Sequence, residues 1–127
     1  MTQHKMLRDK QALELLSRAK KGDDSARDQL VGLFLPIVEA SAMELVITSI
    51  SIDSTILLYS SEYEDFIQEG AVGLVEAVDK AMGLYGNAFG KAGSFSDYLK
   101  NNIKKSLRQA LAAKRSILEN EIPDHRL

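Results

Sequence analysis

The chain has 127 residues, a net charge of −2 at pH 7 and no cysteine, which excludes disulfides and thiolate metal sites. Its 45% hydrophobic and 27% charged residues match an ordinary globular domain with one core and argue against disordered or fibrous classes. We identify no apolar run approaching the roughly 20 residues of a membrane helix and no signal-peptide pattern, so we expect a single cytoplasmic domain over residues 1–127.

The first part of the chain predicts helices separated by a polar turn. After an N-terminus of residues 1–8 that we expect to be flexible, residues 9–20 carry apolar side chains at helical spacing. Gly22 suits the left-handed turn that follows a helix, and the DDS sequence at 23–25 supplies N-cap and first-turn acids for a second helix. Pro36 lacks an amide hydrogen, so it should kink this helix or start a new one.

Residues 46–59 are the least readable part of the sequence. Their β-branched residues alternate with small polar ones, so propensity allows a short hairpin. An extended helix or an ordered loop stays equally open, because tertiary context often overrides β-propensity.

The segment at 65–82 predicts a strongly amphipathic helix. Gly70 and Gly73 lie inside it, where each glycine costs roughly 1 kcal/mol relative to alanine, so they indicate close approach by a neighbouring backbone. A glycine-rich stretch then predicts a flexible loop. We expect the apolar face of the helix to comprise Ile67, Ala71, Leu74, Val75, Val78 and Met82.

A last long helix is predicted from about Phe95 to about Leu118, with Ser94 and Asp97 as a capping box and Pro123 beyond its end. At about 100° per residue, its apolar arc comprises Phe95, Leu99, Ile103, Ser106, Leu107 and Ala110. The opposite arc comprises Asn101, Lys104, Lys105, Arg108 and Arg115, with Lys100 and Leu111 at the boundary. These elements predict an all-α fold.

The charges of the last two predicted helices are segregated by sign. Residues 61–79 contain six acids and no lysine or arginine, whereas residues 99–118 contain six basic residues and no acid. A basic helical face suits a polyanion, so the chain offers two differently charged surfaces.

Three blocks carry a family resemblance. DFIQEGAVGLVEAVDK at 65–80 is similar to the core-binding helix of sigma-70-class transcription initiation factors, and FSDYLKNNIKKSLRQAL at 95–111 is similar to their DNA-facing helix. LLSRAKKGDDSARDQL at 15–30 resembles their opening helices. The blocks follow the family's order, and the resemblance covers residues 12–123. It implies a compact helical bundle of about four to five helices, as in domain 2 of these factors.

The resemblance also implies two binding surfaces. In sigma factors the first motif docks on the clamp helices of the largest polymerase subunit, which implies core RNA polymerase as the partner of residues 65–75. The last helix of the family reads and melts the minus-ten promoter element, which implies promoter DNA as the partner of residues 95–115. Candidate polymerase contacts are Asp65, Gln68, Glu69 and Val75; candidate DNA contacts are Phe95, Tyr98, Lys100, Asn101, Lys104, Lys105, Arg108 and Arg115.

The chain departs from the family in several places. Housekeeping sigma factors carry two adjacent tryptophans that wedge the duplex open, whereas this chain has Asn101 and Asn102 there and no tryptophan. Asparagine offers no ring to replace base stacking, which puts promoter melting in doubt. Residues 46–62 and 83–94 look like expanded loops. The sequence ends about where the family continues to its upstream-element domain, so we expect the rest of a longer chain, or a separate protein, to supply that domain.

Three functions therefore stay open. The first is a sigma factor, divergent or split, with an anti-sigma protein as a further conceivable partner. The second is a sigma-like interaction module that binds polymerase or a regulator without melting DNA, and the third is a helical adaptor whose basic face meets another polyanion or a membrane. Phe95 and Tyr98 suit the helical core as well as they suit DNA. His4 and His125 lie outside any metal-ligand or nucleophile pattern, so we expect no enzyme, metal or cofactor.

Overall fold

The computed structural model describes the backbone of residues 2–48, 62–83 and 94–121, and side chains within 8–48, 62–83 and 94–113. This part of the chain is an all-α bundle without strands, as the sequence predicts. Its four helices are α1 (Thr2–Lys20), α2 (Asp24–Thr48), α3 (Glu62–Met82) and α4 (Phe95–Glu121).

The turn between α1 and α2 forms as predicted. Gly22 has a φ of 98°, and its amide donates to the Ala19 carbonyl at 3.0 Å while the Asp23 amide donates to the Arg18 carbonyl at 3.2 Å. These two bonds satisfy two of the last carbonyls of α1. Asp23 then caps α2, because its Oδ1 accepts from the Ala26 amide at 3.1 Å. The short turn therefore fixes α1 against α2.

The limits of α1 and α2 differ in part from those that the sequence suggested. The backbone of α1 is helical from Thr2, and the sequence from 2 to 8 contains no glycine or proline that would interrupt the helix; the flexibility of residues 1–8 stays a prediction. Pro36 lies inside α2, which excludes the start of a new helix and leaves a kink as the remaining alternative of the two predicted. Its ring is exposed, so water can bond to the carbonyl that its missing amide leaves unpaired.

The predicted alternatives for residues 46–59 are only partly within the described chain. Residues 46–48 form the last turn of α2, where the Thr48 hydroxyl donates to the Glu44 carbonyl at 2.8 Å. Residues 49–61 lie outside the described residues, as do the glycine-rich stretch at 84–93 and the chain end around Pro123.

Helices α3 and α4 form the most extensive pairing of the bundle, and glycines allow it. A Cβ atom on Gly70 would lie 2.8 Å from Leu107 Cδ2, and one on Gly73 would lie 2.6 Å from Ser106 Cβ. A side chain at position 73 would overlap Ser106 Cβ and force α3 and α4 apart, whereas one at position 70 would displace the Leu107 and Val38 side chains. The close backbone approach predicted from these glycines is confirmed. The core around this contact includes Leu30, Phe34, Val38, Phe66, Leu74, Val78, Leu99, Ile103 and Leu107.

The core-facing side of α3 differs from the predicted one. Leu74 and Val78 are buried as expected, but Ile67, Val75 and Met82 are only half-buried. The prediction used large apolar residues to orient the helix, whereas small residues set the close contact with α4. The buried residues of α3 are Phe66, Gly70, Gly73, Leu74, Ala77, Val78 and Ala81.

Helix α2 is long and apolar enough to cross a membrane, judged by length and composition alone. The statement that the sequence has no such run is therefore corrected. One side of α2 packs in the core of the bundle through residues that include Leu30, Phe34 and Val38, and a core helix passes the same test.

Candidate functional site

The acidic surface of α3 is the first candidate site. Asp65, Gln68 and Glu69 are exposed, as a polymerase contact would require. Val75, expected to be the apolar anchor, is half-buried. Val72 instead is 50% exposed and provides the accessible apolar group. At about 100° per residue, it lies on the same side of the helix as Asp65 and Glu69.

A groove runs along the boundary between α3 and α4. Its volume is about 470 Å³, and its two walls combine carboxylates from α3 with small side chains from α4. A lining that combines carboxylates with small apolar side chains suits a partner that carries both basic and apolar groups. The groove is lined by Asp65, Glu69, Val72, Gly73, Glu76, Ser106, Gln109, Ala110 and Ala113.

The basic surface of α4 is the second candidate site. Helix α4 begins as predicted, because Ser94 Oγ accepts a hydrogen bond from the Asp97 amide at 3.1 Å. This cap sets the phase of the helix and so fixes which side chains face outward. Asn101, Lys104, Lys105 and Arg108 are exposed and Lys100 is half-buried, while the side chain of Arg115 lies outside the described residues.

The aromatic candidates on α4 differ in access. Phe95 is 2% exposed and belongs to the core, so its assignment as a DNA contact is corrected: an aromatic ring must be accessible to stack on a base. Tyr98 is half-buried. Asn102 uses its side chain internally, because its Nδ2 donates to the Tyr98 carbonyl at 2.8 Å. The described surface of α4 is thus basic rather than aromatic.

Not all acidic side chains of α3 are available to bind a partner. Asp79 accepts two hydrogen bonds from the Arg27 guanidinium, at 2.9 and 3.1 Å, and this ion pair raises the pKa of Arg27. Asp79 therefore serves the junction with α2 rather than an outside partner.

Near the start of α3, burial raises the pKa of Tyr63, and the negative charge of Glu39 raises it further.

A second groove of about 190 Å³ continues between α3 and α4, beside the first. Lys80, Asn102, Lys105 and Gln109 contribute to its lining together with Glu76. The boundary of the two helices thus changes from acidic groups at Asp65 to basic and amide groups at Lys80. Acidic and basic groups meet in the second groove, where Glu76 lines it together with Lys80 and Lys105.

Sequence reasoning missed several residues of the grooves. Val72, Glu76 and Gln109 line them, but none was among the candidate contacts. The helical projection that was applied to the last helix would have placed Val72 and Glu76 beside Asp65 on α3. Gln109 lies between Lys105 and Ala113 at helical spacing, and only the position of α3 shows that this side of α4 borders a groove.

Comparisons with known proteins give no relative. The chain matches no family model, and no curated protein and no solved structure matches it.

Proposed function

We propose that this chain is a sigma-like transcription initiation factor of the cytoplasm that binds core RNA polymerase through α3 and promoter minus-ten DNA through α4. The observation that carries the proposal is the segregation of charge on two adjacent helices whose sequences resemble the corresponding helices of sigma-70-class factors. Asp65, Gln68 and Glu69 are exposed on α3, and Lys104, Lys105 and Arg108 are exposed on α4. One small bundle thereby presents two separate surfaces.

The chemistry of each surface supports its assigned partner. Charged groups at an interface steer association, and a central apolar group contributes much of the affinity; the exposed Val72, on the same side of α3 as Asp65 and Glu69, supplies that group. Lysine and arginine neutralise phosphates and release counterions, which suits the outer face of α4. Clamp helices of the largest polymerase subunit are the proposed partner of α3.

A second candidate function is a sigma-like module that binds polymerase or a regulator without opening DNA. It is favoured by the absence of tryptophan from the sequence, which removes the rings that wedge the duplex open, and by the internal hydrogen bond of Asn102, which engages one of the two asparagines at those positions. Permanganate footprinting with core polymerase and promoter DNA separates the two functions. Reactive thymines would exclude the second, and unreactive DNA with intact polymerase binding would exclude promoter opening.

A titration against purified bacterial core RNA polymerase tests the polymerase surface. We expect saturable binding by the wild-type chain and its loss in a Gln68→Lys, Glu69→Lys variant, because the new lysines reverse the charge of the docking surface. The matched control is Gln11→Lys, Glu14→Lys on α1, which changes exposed residues of the same types by the same net charge and should bind like the wild type.

Three outcomes would overturn the assignment. If neither the wild type nor the control binds polymerase, the chain is an adaptor without this partner. If the α3 variant binds as tightly as the wild type, the docking surface is elsewhere. If both variants lose binding, net charge rather than the α3 surface determines affinity. Helical circular dichroism of each variant establishes that it is folded.

A further inference from the structure

The outward side of α2 carries an apolar stripe that no described helix covers. Met43 is 40% exposed and Ile47 is 61% exposed, and Pro36 and Ala40 are exposed beside them. The opposite side of the helix supplies core residues such as Phe34. Helix α2 is therefore apolar on two sides, and the described helices cover only one of them.

The stripe has the spacing of a helix-docking seam. Residues 36, 40, 43 and 47 alternate steps of four and three, which is the a/d spacing of a coiled coil. The seam extends over about 17 Å at 1.5 Å per residue. The residues just before and after its central pair are Glu39 and Glu44, both exposed, and they occupy the flanking g and e positions that select partners in such seams.

The charges decide between possible occupants. No lysine or arginine occurs from residue 28 to residue 48. A second copy of α2 would place Glu39 opposite Glu44 in a parallel pair, so like charges oppose parallel self-association. Helices that lie on membrane surfaces flank their apolar face with lysine and arginine, which is the reverse of this arrangement.

We infer that the outer stripe of α2 is a docking site for an amphipathic helix of a partner protein that flanks its apolar seam with lysine or arginine. This surface is separate from the proposed polymerase surface, borders the proposed DNA surface at Glu44 and does not depend on either proposal. Glu39 is the stronger determinant of the two glutamates. Glu44 also lines a groove of about 120 Å³ with Lys104 and Arg108, so nearby positive charge offsets part of its attraction.

Two synthetic peptides provide the test. Both are helical, about three heptads long, with leucine at the seam positions; one has lysine at the flanking positions and the other has glutamate. We expect the full chain to bind the lysine-flanked peptide saturably and roughly tenfold or more tightly than the glutamate-flanked one. A Glu39→Lys, Glu44→Lys variant should reverse that preference, with most of the change already present in Glu39→Lys alone.

Further variants identify the surface. Met43→Asp, Ile47→Asp should abolish binding of both peptides, because it places charge in the seam at exposed positions that the core does not need. A Glu69→Lys, Glu76→Lys variant changes the acidic surface of α3 instead and should bind the lysine-flanked peptide as the wild type does. Polymerase binding by the α2 variants should be unchanged, which separates this proposal from the proposed function.

Several results would overturn the inference. They are equal affinity for the two peptides, no binding of either, or loss of binding in the α3 variant but not in the α2 variants. Sedimentation that shows a dimer of the chain, dissociated by Met43→Asp, would assign the stripe to a second copy. Binding to anionic lipid vesicles that Ile47→Asp abolishes would assign it to a membrane surface.

Discussion

Helices α3 and α4 are neighbours that contribute opposite features to the same contact. Helix α3 contributes the smallest residues, with Gly73 against Ser106, whereas α4 contributes large side chains such as Ile103 and Leu107. On their outer sides the difference is one of sign, because α3 is acidic and α4 is basic. At their contact, the two helices are held together by complementary shape. On their exposed faces, the opposite signs of charge give each helix a different class of partner.

The comparison implies that stability and binding reside in different residues of the same two helices. An exposed charge on either helix contributes little to folding, since surface ion pairs are typically worth at most about 1 kcal/mol. A buried small residue such as Gly73 determines instead how closely the helices approach. Variants on the inner and outer sides should therefore affect different measurements.

The largest effect is expected on the outer side of α4. Lys104→Gln, Lys105→Gln should weaken DNA binding by roughly tenfold or more and reduce the slope of log affinity against log salt by about two, because two phosphate contacts are lost. The measurement is fluorescence anisotropy of minus-ten promoter DNA in complex with polymerase, over a salt series.

Lys10→Gln, Lys21→Gln is the matched control for this prediction, because both lysines are exposed around α1 and the change in charge is the same. We expect it to retain the wild-type slope. An equal loss in both variants would show that net charge, and not the α4 face, attracts the DNA.

The next largest effect is expected on stability, at the inner side of α3 where Gly73 packs against α4. Gly73→Ala should lower the free energy of unfolding by about 2 kcal/mol, because its Cβ would overlap Ser106 in a packed seam. Gly32→Ala should raise it by up to about 1 kcal/mol, since a Cβ there meets nothing within 4 Å and alanine favours the helix. Urea denaturation of both variants measures the difference; a stabilising Gly73→Ala would show that the seam is loose.

A smaller effect is expected at Asp79, the acid of α3 that is bonded to Arg27. Asp79→Asn should reduce stability by about 0.5 kcal/mol, as for an exposed ion pair, and leave polymerase affinity unchanged, because Asp79 is engaged with α2. Thermal unfolding and the polymerase titration test the two parts. A loss of polymerase binding would extend the docking surface of α3 to this end of the helix.

The smallest effect is expected at Asp23, away from both charged surfaces. The Ala26 amide and the Arg18 side chain lower the pKa of Asp23 from its ordinary value of 3.8. A depressed carboxyl pKa stabilises the fold above the ordinary value, and this stabilisation is lost as the pH falls through the folded value, below about pH 4. Asp23→Asn keeps an acceptor for the cap, so it should flatten the pH dependence in acid unfolding without preventing folding; an unchanged acid profile would contradict this assignment.

The features that one helix determines by itself were predictable from the sequence. Gly22 and Asp23 were identified because local rules govern helix ends, and the outer side of α4 was identified because a long helix with a known cap has a definite phase. The inward side of α3 was not, because its orientation depends on how closely α4 can approach Gly70 and Gly73. For the same reason, the accessible valine of α3 is Val72 and not the predicted Val75.

The candidate DNA contacts also differ in whether the sequence of one helix alone predicts their exposure. The exposure of Lys104, Lys105 and Arg108 follows from their spacing, because lysine and arginine seldom lie in a core without a partner. The sequence does not predict the exposure of Phe95 in this way, since an aromatic residue at the start of an amphipathic helix can face the core or the solvent. Its burial depends on the rest of the bundle, which the sequence of α4 alone does not describe.

The proline inside α2 has a consequence for how that helix opens. Pro36 cannot donate to the carbonyl of Gly32, so the ladder of backbone hydrogen bonds has a gap on the solvent side, where water can take the missing place. The gap separates the first turns of α2, joined to α3 by Arg27, from about three later turns that carry the outer apolar stripe. Fraying that begins at Thr48 meets this hydrated position before it reaches the Arg27 junction, so the two halves of one helix can differ in their protection from hydrogen exchange.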